Sequence, residues 1–398
     1  MRIAVFDYFV DGSNAIGHIN QVLLQGLGGE HQFTVYAATC ALQTDKRIRW
    51  VRVPTTGRSP LLWLFLIYRS LASLRYLWDK HVRNRQFDLC QSIESITRFG
   101  DVVHAHFCHR YFLRHEWRVA VRGHRTLRTL ARGWDHRLRA LCEPAAYRRA
   151  RWVVVPSLGL QRELEQEYPW LKGRIRLIHN PINLERMQRP ASFAGDSLRQ
   201  GLGLRADGRL FCFIALGHFE RKGLPLLMQA VQEFKGESPE PFTILVVGGQ
   251  PGLVQVYRQR VEAAGLGRLF RFVGRQPDIR PYLWASEALL LPSYYEVLPT
   301  VALEAAAAGV PILSTPLNGV EEFLRDGQNG LLLPREAAGI AKVVRHFLCL
   351  SPVERAGMGQ CAREAVQAYT ESNFIAAWKK LYADIAPVVQ GTTPQATT

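Results

Sequence analysis

No Cys-x-x-Cys pair occurs in the 398-residue sequence, and its seven cysteines are scattered and odd in number. That pattern argues against a disulfide framework and against cysteine-built zinc sites, and it predicts reduced thiols in the cytoplasm. The chain has no Asp-x-Asp triplet, no internal repeat and no apolar run long enough to span a bilayer. The nearest candidate, residues 60–68, is too short, and Arg69, Arg75 and Lys80 interrupt its continuation. The opening Met1-Arg2-Ile3-Ala4-Val5-Phe6-Asp7 reads as a first strand ended by an aspartate rather than as a signal peptide. Acidic residues are scarce, 34 against 50 basic ones, which leaves a formal net charge of +16. Such a balance invites a nucleic-acid reading. Zinc spacing, an RNA-binding signature and a basic-region heptad are all missing, however, and no nucleic acid is expected as a partner.

The charge is unevenly placed. Residues 1–190 carry 30 Lys+Arg against 15 Asp+Glu, and so hold +15 of the total. Residues 110–151 have 12 arginines against Glu116, Asp135 and Glu143. Arg114, Arg118, Arg122, Arg125 and Arg132 recur at helical spacing, with Val119, Leu127 and Leu130 among them. Upstream, residues 60–68 lead into Leu71, Leu74, Tyr76, Leu77 and Trp78, interspersed with cations. Apolar and aromatic side chains beside basic ones suit the interface of an anionic membrane, at about 1 kcal/mol per cation. The expectation is a protein peripheral on the cytoplasmic face of a membrane, docked through its basic N-terminal half. The alternative is a buried helix at 61–78 with a solvated arginine face elsewhere.

The sharpest pattern is Glu296-Val297-Leu298-Pro299-Thr300-Val301-Ala302-Leu303-Glu304, two glutamates eight positions apart. A buried strand, residues 288–293, precedes it. A helix follows Pro299 through an alanine run and stops at Gly309, and a further strand spans 310–314. In open α/β sheets ligands sit at the carboxyl ends of strands, where helix N-termini offer backbone N–H groups. Carboxylates accept hydrogen bonds from vicinal hydroxyls, so one glutamate suits a ribose and the other a hexose. The amides from Leu298 through Pro299 to Thr300 are expected to face an anionic diphosphate between them.

A second strand–loop–helix unit agrees with this reading. Residues 211–216 form a strand, Gly217-His218-Phe219-Glu220-Arg221-Lys222-Gly223 a loop, and residues 224–234 carry apolar side chains at helical spacing. Arg221 and Lys222 therefore sit at a helix start, where cations oppose the helix dipole. An anion bound between them and the helix resolves the conflict, and a diphosphate fits, with the arginine able to bind bidentately. Further on, Asn318-Gly319 supplies positive-φ geometry in a turn after the 310–314 strand.

Signals in the N-terminal half are fainter. After strand 3–6, a loop with Ser13, Asn14 and Gly17 enters a helix through Val22, Leu23 and Leu24, and its glycine allows close backbone approach. Residues 102–107 read as a strand that turns His104, His106 and Cys108 to one face, with His109 close by. Two histidines at i, i+2 without a second cluster do not make a metal site, and no metal ligands are assigned. The C-terminal part reads as helices over 336–350 and 352–369, then an amphipathic one over 372–386 with Phe374, Trp378, Leu381 and Tyr382.

In order and spacing, Arg221-Lys222-Gly223, Phe272-Val273-Gly274, Pro292-Ser293, the two glutamates and Asn318-Gly319-x-x-Glu322 resemble the nucleotide-sugar domain of GT-B glycosyltransferases. Among them the pattern is similar to the retaining glycosyltransferase family 4 (group 1), over about residues 205–335. The resemblance implies an α/β GT-B fold, two Rossmann-like domains facing across a cleft: 1–183 for acceptor and membrane, 184–371 for the donor. A hinge at Asn180-Pro181-Ile182-Asn183, a terminal helix over 372–390 packing back on the first domain, and a disordered tail at 391–398 complete it. It further implies that Glu296 lies near the donor sugar and Glu304 binds the ribose. Arg221 and Lys222 bind the diphosphate, Gly274 and Arg275 border the base, Gly17 borders the diphosphate, and His106 bonds the donor sugar. Two departures stand out: Val297-Leu298-Pro299 replaces the family's frequent Gly-Phe-Gly, and Asn318-Gly319 its Gly-Gly.

The implied activity moves a sugar from a UDP- or GDP-sugar to a hydroxyl of a lipid-linked or cell-surface polysaccharide acceptor, with retention of configuration. The leaving diphosphate takes the acceptor proton. With no Asp-x-Asp and two cations in place, neither a metal nor any other cofactor is expected beyond the nucleotide-sugar co-substrate. The competing readings are a nucleotide-sugar 2-epimerase of the same architecture and a non-catalytic membrane-associated scaffold with a degenerate donor site.

Overall fold

The computed structural model describes residues 1–12, 14–42, 46–55, 61–121, 127–205, 207–234 and 240–385. It is an α/β protein with two large parallel sheets and a short parallel pair of Phe9–Val10 with Thr39–Cys40. The first contains β1 (Arg2–Phe6), β2 (Gln32–Ala37), β3 (Ile48–Arg52), β4 (Leu89–Ile93), β5 (Val102–His104), β6 (Trp152–Val155) and β7 (Ile175–Leu177), in the order β3-β2-β1-β4-β5-β6-β7. The second contains β8 (Arg209–Ile214), β9 (Phe242–Val247), β10 (Phe270–Gly274), β11 (Ala288–Leu291), β12 (Ile312–Ser314) and β13 (Gly330–Leu332), in the order β10-β9-β8-β11-β12-β13. Each sheet grows one way over its first three strands, and the fourth returns to the free side of the first, the doubly wound pattern of Rossmann-like domains. Strands such as β11, Ala-Leu-Leu-Leu, are buried along their whole length because helices cover both faces of a parallel sheet.

Proline sets two of the strand limits. The strand read at 288–293 stops at Leu291, ahead of Pro292, and the one read at 310–314 starts at Ile312, after Pro311. Proline cannot donate to a ladder, so both strands are shorter than their apolar runs.

The carboxyl ends of the two sheets meet. Phe107, just past β5, packs its ring 5.1 Å from that of Tyr295, just past β11. The chain crosses between the halves twice, side by side: the Ile182 amide donates to the Tyr369 carbonyl at 2.7 Å. The helix Glu371–Ile385 then returns to the first half, where Phe374, Trp378, Leu381 and Tyr382 share a core with Ile3, Val5 and Leu23. Tyr382 donates its hydroxyl hydrogen to Gln91 at 2.6 Å, satisfying a polar group inside that core. The tail expected to be disordered, 391–398, lies outside the described residues, as do Ser13, Arg122 and Arg125.

Two helical expectations need correction. The arginine-rich stretch is not one helix: a π-helical turn over Phe112–Glu116 and a short helix over Trp117–Ala120 precede a separate helix, Leu127–Arg149. The helix read at 352–369 ends at Ala365, and a turn carries the chain to the crossing at Thr370.

The helix Leu61–His81 is apolar on two sides. Phe65, Tyr68, Ala72 and Tyr76 are buried against the first sheet, whereas Trp63, Leu74 and Trp78 are exposed by 56%, 62% and 56%. Neither a wholly buried helix nor a plain solvated face describes it. Among the described residues, no helix is long and apolar enough to cross a membrane.

Candidate active site

The loop after β8 and the segment after β11 lie side by side because β8 and β11 are neighbours in the sheet. Gly223 makes their close approach possible. Its φ of +80° belongs to the left-handed region, and a side chain there would run into the Pro292 carbonyl. The loop therefore presents Arg221 and Lys222 directly to Glu296. Lys222 Nζ is 2.6 Å from Glu296 Oε1, and Arg221 Nη1 is 3.2 Å from the same oxygen. Arg221 Nη1 also donates to the Tyr295 carbonyl at 2.6 Å. Burial opposes ionisation of Glu296, but Lys222 and Arg221 outweigh it and hold the carboxyl below its usual value. Burial also pulls the Lys222 ammonium down, with Glu296 opposing. One carboxylate thus gathers two cations in a buried pocket, where charge interactions are strong.

Glu304 lies on the helix Thr300–Ala307, one turn after its first residue. Burial pushes its carboxyl up to about 7, against the pull of Arg186. Leu298 and Pro299 are buried and Thr300 is half-buried at the helix start. The expectation that all three turn amides to a diphosphate needs correction: Pro299 has no N–H, so only Leu298 and Thr300 can donate. Gly274 ends β10 at φ +68° with open space where a side chain would stand, and Arg275 beside it is exposed.

Two sequence-derived positions also have structural duties. Gly17 is buried inside the helix Ala15–Leu27, and its amide donates to the Asn14 side chain at 2.8 Å as an N-cap bond. A side chain there would strike the carbonyls of Phe9 and Asp11, so the approach of its own chain already requires a glycine. The Asn318-Gly319 turn has the positive φ expected at Gly319, yet the Asn318 amide donates to Glu163 of the other half. That turn joins the two domains as well as bordering the site.

His106 is buried past the end of β5 with Nε2 unpartnered, and burial lowers its imidazole to about 4. His104 lies deeper, its ring 4.0 Å from that of His106 and 5.1 Å from that of Trp378. Among the described residues no group of three or more His, Cys, Asp or Glu side chains is placed to hold a metal ion.

Several further groups line the same strand ends and escaped sequence reasoning. Asp7 ends β1 and accepts from Asn20 at 2.6 Å, while burial raises its carboxyl to about 7. Glu94 follows β4, buried, with a left-handed φ of 46°. His218, in the loop after β8, shares that conformation at φ 56°. Two non-glycine residues held in this region beside one cleft mark a site where geometry outranks local comfort. A carboxylate just past a buried strand was the available signal for Glu94.

Known proteins resemble this chain in sequence and in fold. A profile described as "Glycosyltransferase Family 4" matches residues 21–186, and one described as "Glycosyl transferases group 1" matches residues 209–349. The chain is 26% identical over 253 residues to a D-inositol 3-phosphate glycosyltransferase of Corynebacterium urealyticum, covering 58% of this chain and 59% of that protein. It is 31% identical over 163 residues to the lipopolysaccharide core biosynthesis glycosyltransferase LpsE of Rhizobium meliloti, covering 38% and 46% respectively. The chain thus spans about half the length of the curated relatives it matches. In fold it resembles WaaG, a glycosyltransferase involved in lipopolysaccharide biosynthesis, with a TM-score of 0.73 at 19% identity over 97% of this chain and 100% of that one. It also resembles Anabaena HepE solved with UDP and glucose, with a TM-score of 0.70 at 18% identity over 96% and 100%.

Proposed function

The chain belongs to glycosyltransferase family 4 (group 1), and on that premise we propose that it transfers a sugar, with retention, from a UDP- or GDP-sugar to a hydroxyl of a lipid-linked or cell-surface glycan. The observation that carries the reading is the convergence of Lys222 and Arg221 on the buried Glu296 at the cleft. With a donor bound, the two cations turn part of their charge to the diphosphate, which lies where the leaving group's negative charge grows. Preorganised charge of this kind is often the largest part of catalysis. Glu296 takes hydrogen bonds from the sugar hydroxyls, and Glu304 from the ribose. His106 brings an unpartnered ring nitrogen to the donor sugar. The C1–phosphate bond breaks as the acceptor oxygen attacks from the same face, and the acceptor proton passes to the leaving diphosphate. Arg221 and Lys222 supply the positive charge that a divalent ion would bring, so the reaction runs without metal.

The acceptor side is proposed to work at the cytoplasmic face of an anionic membrane. The exposed Trp63, Leu74 and Trp78 lie on one helix with the exposed Arg75 and Lys80. Trp134 and Leu141, exposed by 62% and 77%, extend the apolar surface on the helix Leu127–Arg149, which packs against the first.

Thermal melting with millimolar UDP, GDP, ADP and CMP, each with magnesium and with EDTA, tests the donor reading. A ligand at about 100 times its Kd stabilises by roughly 2.7 kcal/mol, a shift of several degrees. The expected result is a shift with UDP or GDP that EDTA leaves intact and Lys222→Ala weakens. No shift with any of the four favours the scaffold. Conversion of a nucleotide sugar to its epimer without an acceptor favours the epimerase.

A further inference from the structure

The segment that carries Glu296 is shared between the two domains. It follows β11 of the second sheet, yet the side chains on either side of Glu296 lie in the first domain's core. Tyr295 and Val297 are buried there with Val103, Ala105, Leu160 and Leu164. The Tyr295 ring is 5.1 Å from that of Phe107 and 5.0 Å from that of Phe112. Glu296, between them, turns instead to Lys222 and Arg221. Val297 is the first of the three residues that depart from the family's frequent Gly-Phe-Gly, and a glycine there would have no side chain to place in that core.

Glu163 anchors this arrangement. It is buried on the first-domain helix Leu158–Glu167, where Oε2 accepts from the Tyr295 hydroxyl at 2.7 Å and Oε1 from the Asn318 amide. Both of its oxygens are therefore taken by the second domain. Tyr295 passes the constraint to the donor site: its carbonyl accepts from Arg221 Nη1 at 2.6 Å, and Glu296 is the next residue. The Tyr294 amide donates to the Arg221 carbonyl at 2.9 Å, which ties the same two segments together again. Gly159, one turn before Glu163 on the same helix face, leaves room for Asn318, since a side chain there would run into it. Arg162 also pairs across the boundary, with Glu321, but both side chains are exposed, and such pairs contribute little.

We propose that Glu163 is a positioning residue for donor binding: held through both oxygens by Tyr295 and Asn318, it keeps the Glu296 segment docked in the first domain, so that Glu296, Arg221 and Lys222 meet the diphosphate already in place. Without those two bonds, Tyr295 and Val297 leave the first-domain core more readily as the domains part. The fraction of molecules competent to bind then falls, and affinity for the diphosphate falls by the same fraction. Linkage makes the effect reciprocal, so a bound diphosphate tightens the contact between the domains. This inference rests on the transferase reading above.

Calorimetric titration of the full chain with UDP and with GDP, beside small-angle X-ray scattering of the unliganded protein, tests it. For whichever diphosphate binds the wild type, Glu163→Ala is expected to raise Kd by about tenfold. Tyr295→Phe, which deletes one hydroxyl, should raise it about fivefold, within what one net hydrogen bond is worth. The double variant should bind no more weakly than Glu163→Ala, because the two residues act through one contact. Glu163→Gln should recover most of the loss: its carbonyl accepts from Tyr295, and its amide donates to a turned Asn318 side chain. Gly159→Ala favours its own helix but displaces Asn318, and so should also raise Kd, whereas Arg162→Ala should leave it unchanged. Free Glu163→Ala should have a larger radius of gyration than free wild type and return toward it with the diphosphate. A purely structural role lowers Tm but leaves Kd and the radius unchanged well below Tm. That result in Glu163→Ala and Tyr295→Phe overturns the inference, as does a loss of affinity in Arg162→Ala equal to that in Tyr295→Phe. If neither diphosphate binds the wild type, the transferase reading fails instead, and the radius of gyration alone decides whether Glu163 holds the domains together.

Discussion

Tyr295 donates its hydroxyl hydrogen to Glu163 across the domain boundary at 2.7 Å, one residue before Glu296. Asn318 donates to the same carboxylate. Burial pushes Glu163 up to about 7, with these two bonds pulling the other way. A carboxyl whose folded pKa lies above its unfolded value of about 4.3 stabilises the fold fully below that value, and the contribution is lost as pH rises through 7. Replacement by glutamine keeps a bond from Tyr295 and removes the titration. The Tm of Glu163→Gln relative to wild type is therefore expected to be lower or equal at pH 5 and higher at pH 8. A difference in Tm that stays constant between those pH values contradicts this.

Gly223 offers a test of the loop that carries the cations. Alanine there must adopt φ +80° and meet the Pro292 carbonyl, whereas Gly217, six residues earlier, has open space and no positive φ. Gly223→Ala is expected to cost more than about 1 kcal/mol and to weaken nucleoside-diphosphate binding, since Arg221 and Lys222 move with the loop. Gly217→Ala should do neither. Urea unfolding of both variants, with calorimetric titration of UDP and GDP, reads the contrast.

What the sequence revealed follows from how each part is built. Glu296, Glu304, Arg221 and Lys222 lie on contiguous strand–turn–helix units, so apolar runs, a closing glycine and cations at a helix start announced them. Glu94, His109 and His136 share no local pattern and meet only through the packing of two helices on a sheet. The helix Leu127–Arg149 read as a solvated or membrane-facing arginine face, yet Arg139 and Asp135 on it are a buried pair. Arg69 likewise turns inward to the Ser95 carbonyl and does not serve a membrane face. Gly17 is required by the approach of its own chain, and the sequence alone does not separate that from approach to a ligand, because both demand the same residue. The missing amide of Pro299 was legible from the outset.

Glu304 should make donor affinity depend on pH. Its carboxyl is raised to about 7 by burial, and hydroxyls that donate to it favour the ionised form. Binding a ribose then releases a proton, so affinity for an intact nucleotide sugar is expected to rise between pH 6 and pH 8. Glu304→Gln should flatten that rise and lower the affinity at pH 8 by about tenfold, the loss expected for a charged acceptor. Isothermal titration in two buffers of different ionisation heat counts the proton directly. No proton released by the wild type would remove the ribose from Glu304.

The exposed tryptophans decide whether the basic half meets a membrane. Trp63 and Trp78 stand at opposite ends of the helix Leu61–His81, and Trp134 on the neighbouring helix carries Arg137 over its ring at 5.2 Å. Interfacial helices bind through buried apolar area together with attraction of cations to anionic lipid, and the second part is screened by salt. Cosedimentation with vesicles of phosphatidylglycerol and phosphatidylcholine should therefore be strong at low salt and weaker at high salt. It should fall at least tenfold in a Trp63→Ser, Trp78→Ser, Trp134→Ser triple variant. These side chains are exposed, so the triple variant should melt within a few degrees of wild type and bind nucleoside diphosphate as before. If the wild type stays in the supernatant at low salt, the apolar face serves something other than a bilayer. If the triple variant sediments like wild type, the arginines alone hold the protein there and the tryptophans do not insert.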